Sequence, residues 1–386
     1  MFAGRTSWQT GSNPVYAKLQ ELRSQGERIL DLTVSNPTGC GFDYLQPPLL
    51  EAFQNPRNLS YTPEAHGLLP AREAVAAYYA ARGIEVSPEQ IFLTASTSEA
   101  YGFVFRLLAE PGDRILAPQP SYPLLGYLAG IHDVTPEPYA LDFNASWAMN
   151  WGTLETPAAR SARALMLVHP NNPTGHYTGT ADRERVLKYC GENPMALLVD
   201  EVFLDYPLDS SIRPQSFAGT DSVLTFTLSG ISKILGLPQM KLSWIVVSGP
   251  SALREEAIGR LEILSDTYLS VSAPPQNALP VWMKSQRAIT DEIVQRVRAN
   301  YRQLQETPGI APAHFLPAEG GWYAVLNLPG AKDDEAWALE FLEKDRVYLH
   351  PGYLFDFLKG SHGVISLLAA PDIFAPAVTR LAARLR

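Results

Sequence analysis

Between residues 115 and 247 the chain carries five short, continuously apolar runs: 115–117 (ILA), 164–168 (ALMLV), 196–199 (ALLV), 223–227 (VLTFT) and 244–247 (WIVV). Helical or loop segments ending in Gly or Pro separate several of them. A strand with one wet face alternates apolar and polar residues, whereas a strand covered on both faces reads as an unbroken apolar run. Runs of this kind alternating with helices predict an α/β three-layer sandwich with a mostly parallel central sheet. Ligands of such sheets bind beyond the C-terminal ends of the strands. The polar residues that follow each run are therefore the first candidates for chemistry.

The flanks read as further elements. A helix is predicted over 14–26, a strand over 29–35, a loop over 61–70, a helix over 71–83 and a strand over 91–95. The longest helical pattern covers 281–307, followed by a strand near 322–328, a helix over 333–344, strands near 346–350 and 364–368, and a terminal helix over 375–385. With 386 residues, about 100–200 per domain gives two to three domains, or one large domain with a satellite. Apolar residues make up 46% and charged residues only 18%, which fits a large buried core.

The formal net charge is −9 and no Lys/Arg block is present, which argues against nucleic acid as a partner. Cys40 and Cys190 are too few for a disulfide framework or a four-thiolate metal site, and read as buried thiols. No apolar run of about 18 residues occurs, so no membrane span is expected. The N-terminal stretch lacks an apolar leader segment, and a cytoplasmic location is the expectation.

Four strand ends carry candidate chemistry. After IFLTA comes Ser96-Thr97-Ser98-Glu99, which opens a helix whose free N–H groups suit a phosphate, or simply caps itself. After ALMLV comes HPNNPTG (169–175), a Pro/Gly turn on a plain reading. After ALLV come Asp200 and Glu201, carboxylates that need a cationic or donor partner if buried. After VLTFT comes LSGISKILGLPQMK (228–241), in which Lys233 sits among Gly, Ser and apolar residues. A lysine in a poorly hydrated pocket can lose its proton and attack a carbonyl to form a Schiff base. The seven histidines show no HxxxH or HxH spacing, and neither a GxSxG elbow nor a GxGxxG loop is present.

Taken in order, NNPTG, then DE, then a serine and lysine followed eight residues later by a cation, the sequence resembles the pyridoxal-phosphate-dependent aminotransferases of fold type I, class I/II. The resemblance spans essentially the whole chain. It implies a large cofactor-binding domain over 45–280 and a smaller α+β domain made from both chain ends, 1–44 and 281–386. It implies that Lys233 holds pyridoxal 5'-phosphate as a Schiff base and then serves as acid and base. Asp200 would pair with the pyridinium nitrogen, Asn172 would donate to the ring's phenolic oxygen, and Tyr122 would stack on the ring. Thr97, Ser98, Ser232 and Lys241 would hold the phosphate, with Tyr61 reaching the phosphate of a neighbouring subunit in a homodimer with shared sites. Asn172–Pro173 is expected to be cis. The implied reaction moves an amino group between a small-molecule donor, an amino acid or amine, and a 2-oxo acid or other carbonyl acceptor. A lyase, a decarboxylase or another non-transaminating enzyme of this fold is the alternative; a non-catalytic regulatory protein is disfavoured by Lys233, Asp200 and Asn172 together.

Besides Lys241, four departures from the family pattern stand out. Phe203 stands where a tyrosine usually touches the phenolic oxygen. Gly230 stands where a serine usually lies, and Gln239 and Ser243 stand where glycines are common. Lys241 replaces an arginine and lacks its bidentate fork. The fourth departure concerns the arginine that usually clamps the substrate α-carboxylate: its place falls at about Val364, and no Arg lies between Arg346 and Arg380. Either another group holds the carboxylate, such as His362, Asn36 or an Arg elsewhere, or the substrate has none there. Trp322 and Tyr323 would line the pocket from the small domain, or simply pack its core.

Overall fold

The computed structural model describes residues 1–8, 11, 13–44, 47–284, 286–310 and 314–386. The expected domain start at 45, and residue 285 within the longest helical pattern, lie outside the described residues. The strands in chain order are β1 (Leu30–Asp31), β2 (Ile91–Thr94), β3 (Arg114–Gln119), β4 (Thr135–Asp142), β5 (Ala148–Met149), β6 (Ala164–Val168), β7 (Ala196–Asp200), β8 (Thr225–Gly230), β9 (Ser243–Ser248), β10 (Phe315–Leu316), β11 (Tyr323–Leu328), β12 (Val347–Tyr348), β13 (His350–Pro351) and β14 (Ser361–Ser366).

Eight of them form the central sheet in the order β2-β9-β8-β7-β6-β3-β4-β5. The pairs from β4 through β3, β6 and β7 to β8 are parallel, while β9 and β5 join antiparallel to their neighbours. The unbroken apolar runs are explained by what covers each face. Met166 and Leu198 point to the side holding the helices Thr97–Leu108 and Ser251–Tyr268, where Phe103, Phe105 and Leu261 are buried. Leu165, Leu167, Leu197 and Val199 point to the opposite side, against Val186 and Cys190 of the helix Thr180–Glu192. Successive residues of β6 and β7 thus enter different cores, and both sets are apolar up to Asp200. Cys40 and Cys190 are free and buried, and burial pushes their thiols up to about 11 and about 12.

A second sheet, β10-β11-β14-β13, is antiparallel. One of its faces (Ala324, Leu326, Ile365) packs with the helices Pro14–Ser24, Gln286–Glu306 and Pro371–Arg384. Its other face (Val325, Val364) packs with Leu316, Phe355 and Trp147, the last from the edge of the central sheet. No helix of the described residues is long and apolar enough to cross a membrane.

Several expected bounds change. The strand expected over 29–35 shrinks to β1, because the Asp31 carboxylate accepts from the Thr33 amide (2.9 Å) and hydroxyl (2.6 Å). A local side-chain turn of this kind competes with a ladder. The helix expected from 281 begins earlier, at Ala273, and is described over Ala273–Lys284 and Gln286–Glu306, on either side of residue 285. It starts in an Ala-Pro-Pro sequence, and proline suits the first turn of a helix. The strand expected near 346–350 is split between β12, which pairs with β1, and β13, which pairs with β14. Strand β4 went unnoticed because Pro136 and Pro138 interrupt its pattern; it lies near the sheet edge, beside only the two-residue β5, where proline is tolerated.

The two sheets meet at Gly175. Its carbonyl accepts from the amides of Glu319 (3.1 Å) and Gly320 (2.9 Å). Its φ is +74°, and a Cβ there would lie 2.6 Å from the Gly320 carbonyl oxygen. Gly175→Ala combines a left-handed backbone with a backbone collision, and is expected to cost at least about 2 kcal/mol in urea unfolding. A loss within experimental error would show that this contact does not hold the seam.

Candidate functional site

Strands β7 and β8 are neighbours, and they deliver the two central groups. Asp200 ends β7 and Lys233 lies in the short helix Ile231–Ile234 just after β8. Asp200 is buried. Its Oδ1 accepts from the Val202 amide (3.0 Å) and its Oδ2 from the Tyr101 hydroxyl (2.8 Å). Burial pushes the carboxyl pKa up, while these two donors and the Lys233 charge pull it down. Lys233 stays partly accessible. Burial nevertheless lowers its amine to about 8, against an opposing pull from Asp200. Its Nζ lies 4.7 Å from the Trp322 ring centre and 5.5 Å from that of Phe203.

These aromatics come from both sheets. Phe203 and Trp322 meet edge-on at 5.3 Å, and Phe203 and Tyr323 at 6.2 Å. Tyr206 packs on Trp322 at 5.0 Å, and its hydroxyl donates to the Lys233 carbonyl. Tyr206 therefore fastens the lysine's backbone rather than reaching its amine. The loop after β6 brings Asn172 to the same strand ends. It is buried, and its carboxamide oxygen has no partner among the described residues. The Asn172–Pro173 peptide is cis, as are Gln119–Pro120 and His169–Pro170. Tyr122 is half-buried within the electrostatic reach of Asp200.

Thr97 and Ser98 open the helix Thr97–Leu108, with Ser96 as the cap whose hydroxyl oxygen accepts from the Glu99 amide at 3.2 Å. The amides of the first turn, aligned with the positive end of the helix dipole, suit an anion. Ser232 precedes Lys233 and is half-buried; Lys241 is exposed, with φ +50°. Gly230 and Ser243 are cross-strand partners. A Cβ at 230 would overlap the Ser243 hydroxyl and lie 2.8 Å from its Cβ. The serine and glycine departures thus face each other across one strand pair. The neighbouring Ser229 hydroxyl is buried with no partner among the described residues.

Two candidates lie away from this group, and Asn36 stands at its margin beside Ser35, whose side chain hydrogen-bonds Tyr323. Tyr61 is 82% exposed, so within one chain it is not part of the cluster. Asn36 is exposed, and its side-chain oxygen accepts from the Thr38 amide (3.2 Å) and hydroxyl (2.8 Å). His362 stacks on Phe357 at 4.3 Å and lines a cavity of about 650 Å³ with Gln119, Pro120, Trp147 and Asn327, none of them a neighbour of Lys233. Burial lowers His362 to about 4, so it is neutral near pH 7. Sequence reasoning missed Tyr101, whose only signal was its place one turn into a helix that starts at a candidate strand end. Among the described residues no group of three or more His, Cys, Asp or Glu could hold a metal ion.

The Tyr101 hydrogen bond is stronger while Asp200 is charged. Tyr101→Phe is expected to cost about 1.5–3 kcal/mol in unfolding at neutral pH, with the loss shrinking at acid pH as Asp200 takes a proton. A loss independent of pH would assign Tyr101 to packing alone.

Comparison with known proteins gives one consistent result. Residues 27–373 match the family described as aminotransferase class I and II. The glutamate-pyruvate aminotransferase AlaA of Haemophilus influenzae is 24% identical over 381 residues, covering 96% of this chain and 93% of that protein. The alanine aminotransferase of Mycobacterium tuberculosis is 25% identical over 388 residues, covering 95% and 88%. In fold, the alanine aminotransferase structure from Pyrococcus furiosus superimposes with a TM-score of 0.90 at 22% identity, covering 100% and 99% of the two chains.

Proposed function

Because the chain belongs to the aminotransferase class I and II family, we propose that it transfers an amino group between a small-molecule donor and a carbonyl acceptor, using pyridoxal 5'-phosphate held by Lys233. The observation that carries this reading is the buried pair itself: an amine lowered to about 8, set against a buried carboxylate at the ends of adjacent strands. The fit to the cofactor also rests on the orphaned hydroxyl of Ser229 and the open helix start at Thr97.

When bound, the cofactor supplies an aldehyde carbon that accepts the amino group and a ring that draws electrons from the substrate carbon. Lys233 would hold it through the amine, and its Nζ would take and return the proton of the amino-bearing carbon. Asp200 would keep the ring nitrogen protonated, and Tyr101 and Val202 hold that carboxylate in place. Tyr122 would stack on the ring, and Asn172 would donate to its phenolic oxygen. With Phe203 in place of a second donor, Asn172 would act there without a tyrosine's help. Thr97, Ser98, Ser232 and Lys241 would hold the phosphate. Exposed Tyr61 fits a contribution to the partner's site, so the working unit would be a homodimer, in the cytoplasm, with a large domain at 45–280 and a small one at 1–44 and 281–386.

Purified protein given pyridoxal phosphate should turn yellow, and borohydride should fix the colour loss and the added mass on Lys233. Capture by the apoprotein should quicken with pH through a midpoint near 8, since only the unprotonated amine attacks and burial has moved that proton's loss down from 10.5. Lys233→Ala should remove the covalent link and lower kcat by about 10²–10⁴-fold or more while leaving the fold intact. Protein that stays colourless with added cofactor, or full activity without the lysine, would overturn the reading.

A further inference from the structure

Lys233 lies in a helix of only four residues, Ile231–Ile234. A helix this short is not stable by itself, and its last carbonyls have no partner within it. Its position therefore rests on groups outside it. On the central-sheet side β8 runs directly into it, and the Ile231 amide donates to the carbonyl of Leu242, just ahead of β9, at 3.1 Å. On the other side two buried hydroxyls close on its C-terminal carbonyls. Tyr206 donates to the Lys233 carbonyl, and Thr290 donates to the Ile234 carbonyl at 2.7 Å. The two hydroxyls lie within hydrogen-bonding reach of each other. The Gly236 amide, 3.0 Å from the Lys233 carbonyl, completes the turn.

Neither hydroxyl is anchored in the sheet that carries Lys233. Tyr206 is fully buried in the core of the second sheet, with Trp322, Leu326 and Ile365. Its own carbonyl accepts from the Gly321 amide at 2.9 Å, and the Leu208 amide donates to the Glu319 carbonyl at 2.8 Å. This segment is thus tied to the chain that enters β11. Thr290 lies near the start of the helix Gln286–Glu306, whose Ile293, Val297 and Leu304 are buried in that same core. The Tyr206 ring packs on Trp322 at 5.0 Å, and the Trp322 ring centre lies 4.7 Å from the Lys233 Nζ. The core of the second sheet therefore meets Lys233 at two levels, with hydroxyls at its backbone and an aromatic ring at its amine.

This arrangement has a chemical consequence. An amine that must attack a carbonyl carbon and later carry a proton works only within a narrow range of place and direction. A displacement of about 1 Å can cost on the order of 10²-fold in rate. The flexible four-carbon stem of a lysine does not fix its amine unaided. A carbonyl clamped from behind fixes where the stem begins, and Trp322 limits where it ends.

We propose that Tyr206 and Thr290 are positioning residues for Lys233, through which the placement of the second sheet against the central sheet is set at the reacting amine. This rests on the aminotransferase reading above and deepens it.

The test uses the holoenzyme, with rates counted per cofactor that borohydride fixes on Lys233. L-alanine, L-glutamate and 2-phenylethylamine serve as donors, and the fastest is used for the comparison. Single-turnover loss of the visible cofactor band gives the rate at saturating donor and the donor's apparent affinity. Tyr206→Phe removes one hydroxyl and keeps the ring on Trp322; Thr290→Val removes the other at nearly the same volume. Both should lower the saturating rate, Tyr206→Phe by about tenfold or more, with the apparent affinity changed less than about twofold, because the loss falls on the reacting groups and not on substrate binding. The same donor deuterated at its amino-bearing carbon should be slowed in both variants at least as much as in the wild type, which places the loss in the proton transfer. Thr290→Ser should restore the wild-type rate. Tyr301→Phe is the control: its hydroxyl joins the Ala318 amide (2.9 Å) and carbonyl (3.0 Å) in the same core, so it should lose stability and keep the wild-type rate. An unchanged rate in loaded Tyr206→Phe, a slowed rate with no isotope effect, or an equal loss in Tyr301→Phe overturns the proposal. If Tyr206→Phe does not fold, the Thr290→Val and Thr290→Ser pair decides on the same readouts. A wild type that is loaded and active leaves the aminotransferase reading standing whichever way the variants fall. If borohydride fixes cofactor on Lys233 but no donor alters the band, that reading itself fails, and the proposal falls with it.

Discussion

An amine and a carboxylate share one poorly hydrated spot at the ends of β7 and β8, and the surrounding architecture is what makes that arrangement stable. Burial works against both charges, and isolated ions would leave such a place or neutralise. They remain because each steadies the other and because Asp200 has two further donors, one from the backbone and one from Tyr101. Those donors are positioned by the layers: Val202 by the turn after β7, Tyr101 by a helix packed on the sheet face. A rigid parallel sheet with both faces covered is therefore a requirement of the charge pair as well as of the apolar runs.

The central sheet was legible because its strands are buried on both sides and leave an unmistakable pattern. The same holds for the order of Asn172, Asp200 and Lys233, each placed just past an apolar run. What lay at the margins was harder to read. Asp31 closes its own turn and cuts a strand short; Pro136 and Pro138 disguise one near the edge; Pro274 and Pro275 lie in the first turn of a helix that begins ahead of the expected start at 281. These are local competitions between side chain and backbone that periodicity does not register.

The site was legible as a list, less so as a geometry. Tyr206 lies near in sequence, yet only the structure shows that it holds the Lys233 carbonyl and leaves the amine to Phe203 and Trp322. His362 and Asn36 looked like candidate anion holders by position. One is neutral and opens to a separate cavity, and the other closes its own turn. Tyr101 was invisible because an aromatic residue on a buried helix face reads as core until its hydroxyl is seen to meet a carboxylate.

Gly230 and Ser243 bear on how such a chain can drift. A Cβ at 230 would meet both the Ser243 side chain and its Cα, the latter at 2.9 Å, so a serine at 230 needs a glycine at 243 and a small parting of the strands. A lineage exchanging Ser/Gly for Gly/Ser must pass through a step with two side chains in one place or a step with none. The first is overpacked and the second leaves a gap beside the buried, unpartnered Ser229. The two positions are bound to change as a pair, so a substitution that looks harmless at either one in a relative carries a different meaning in this background.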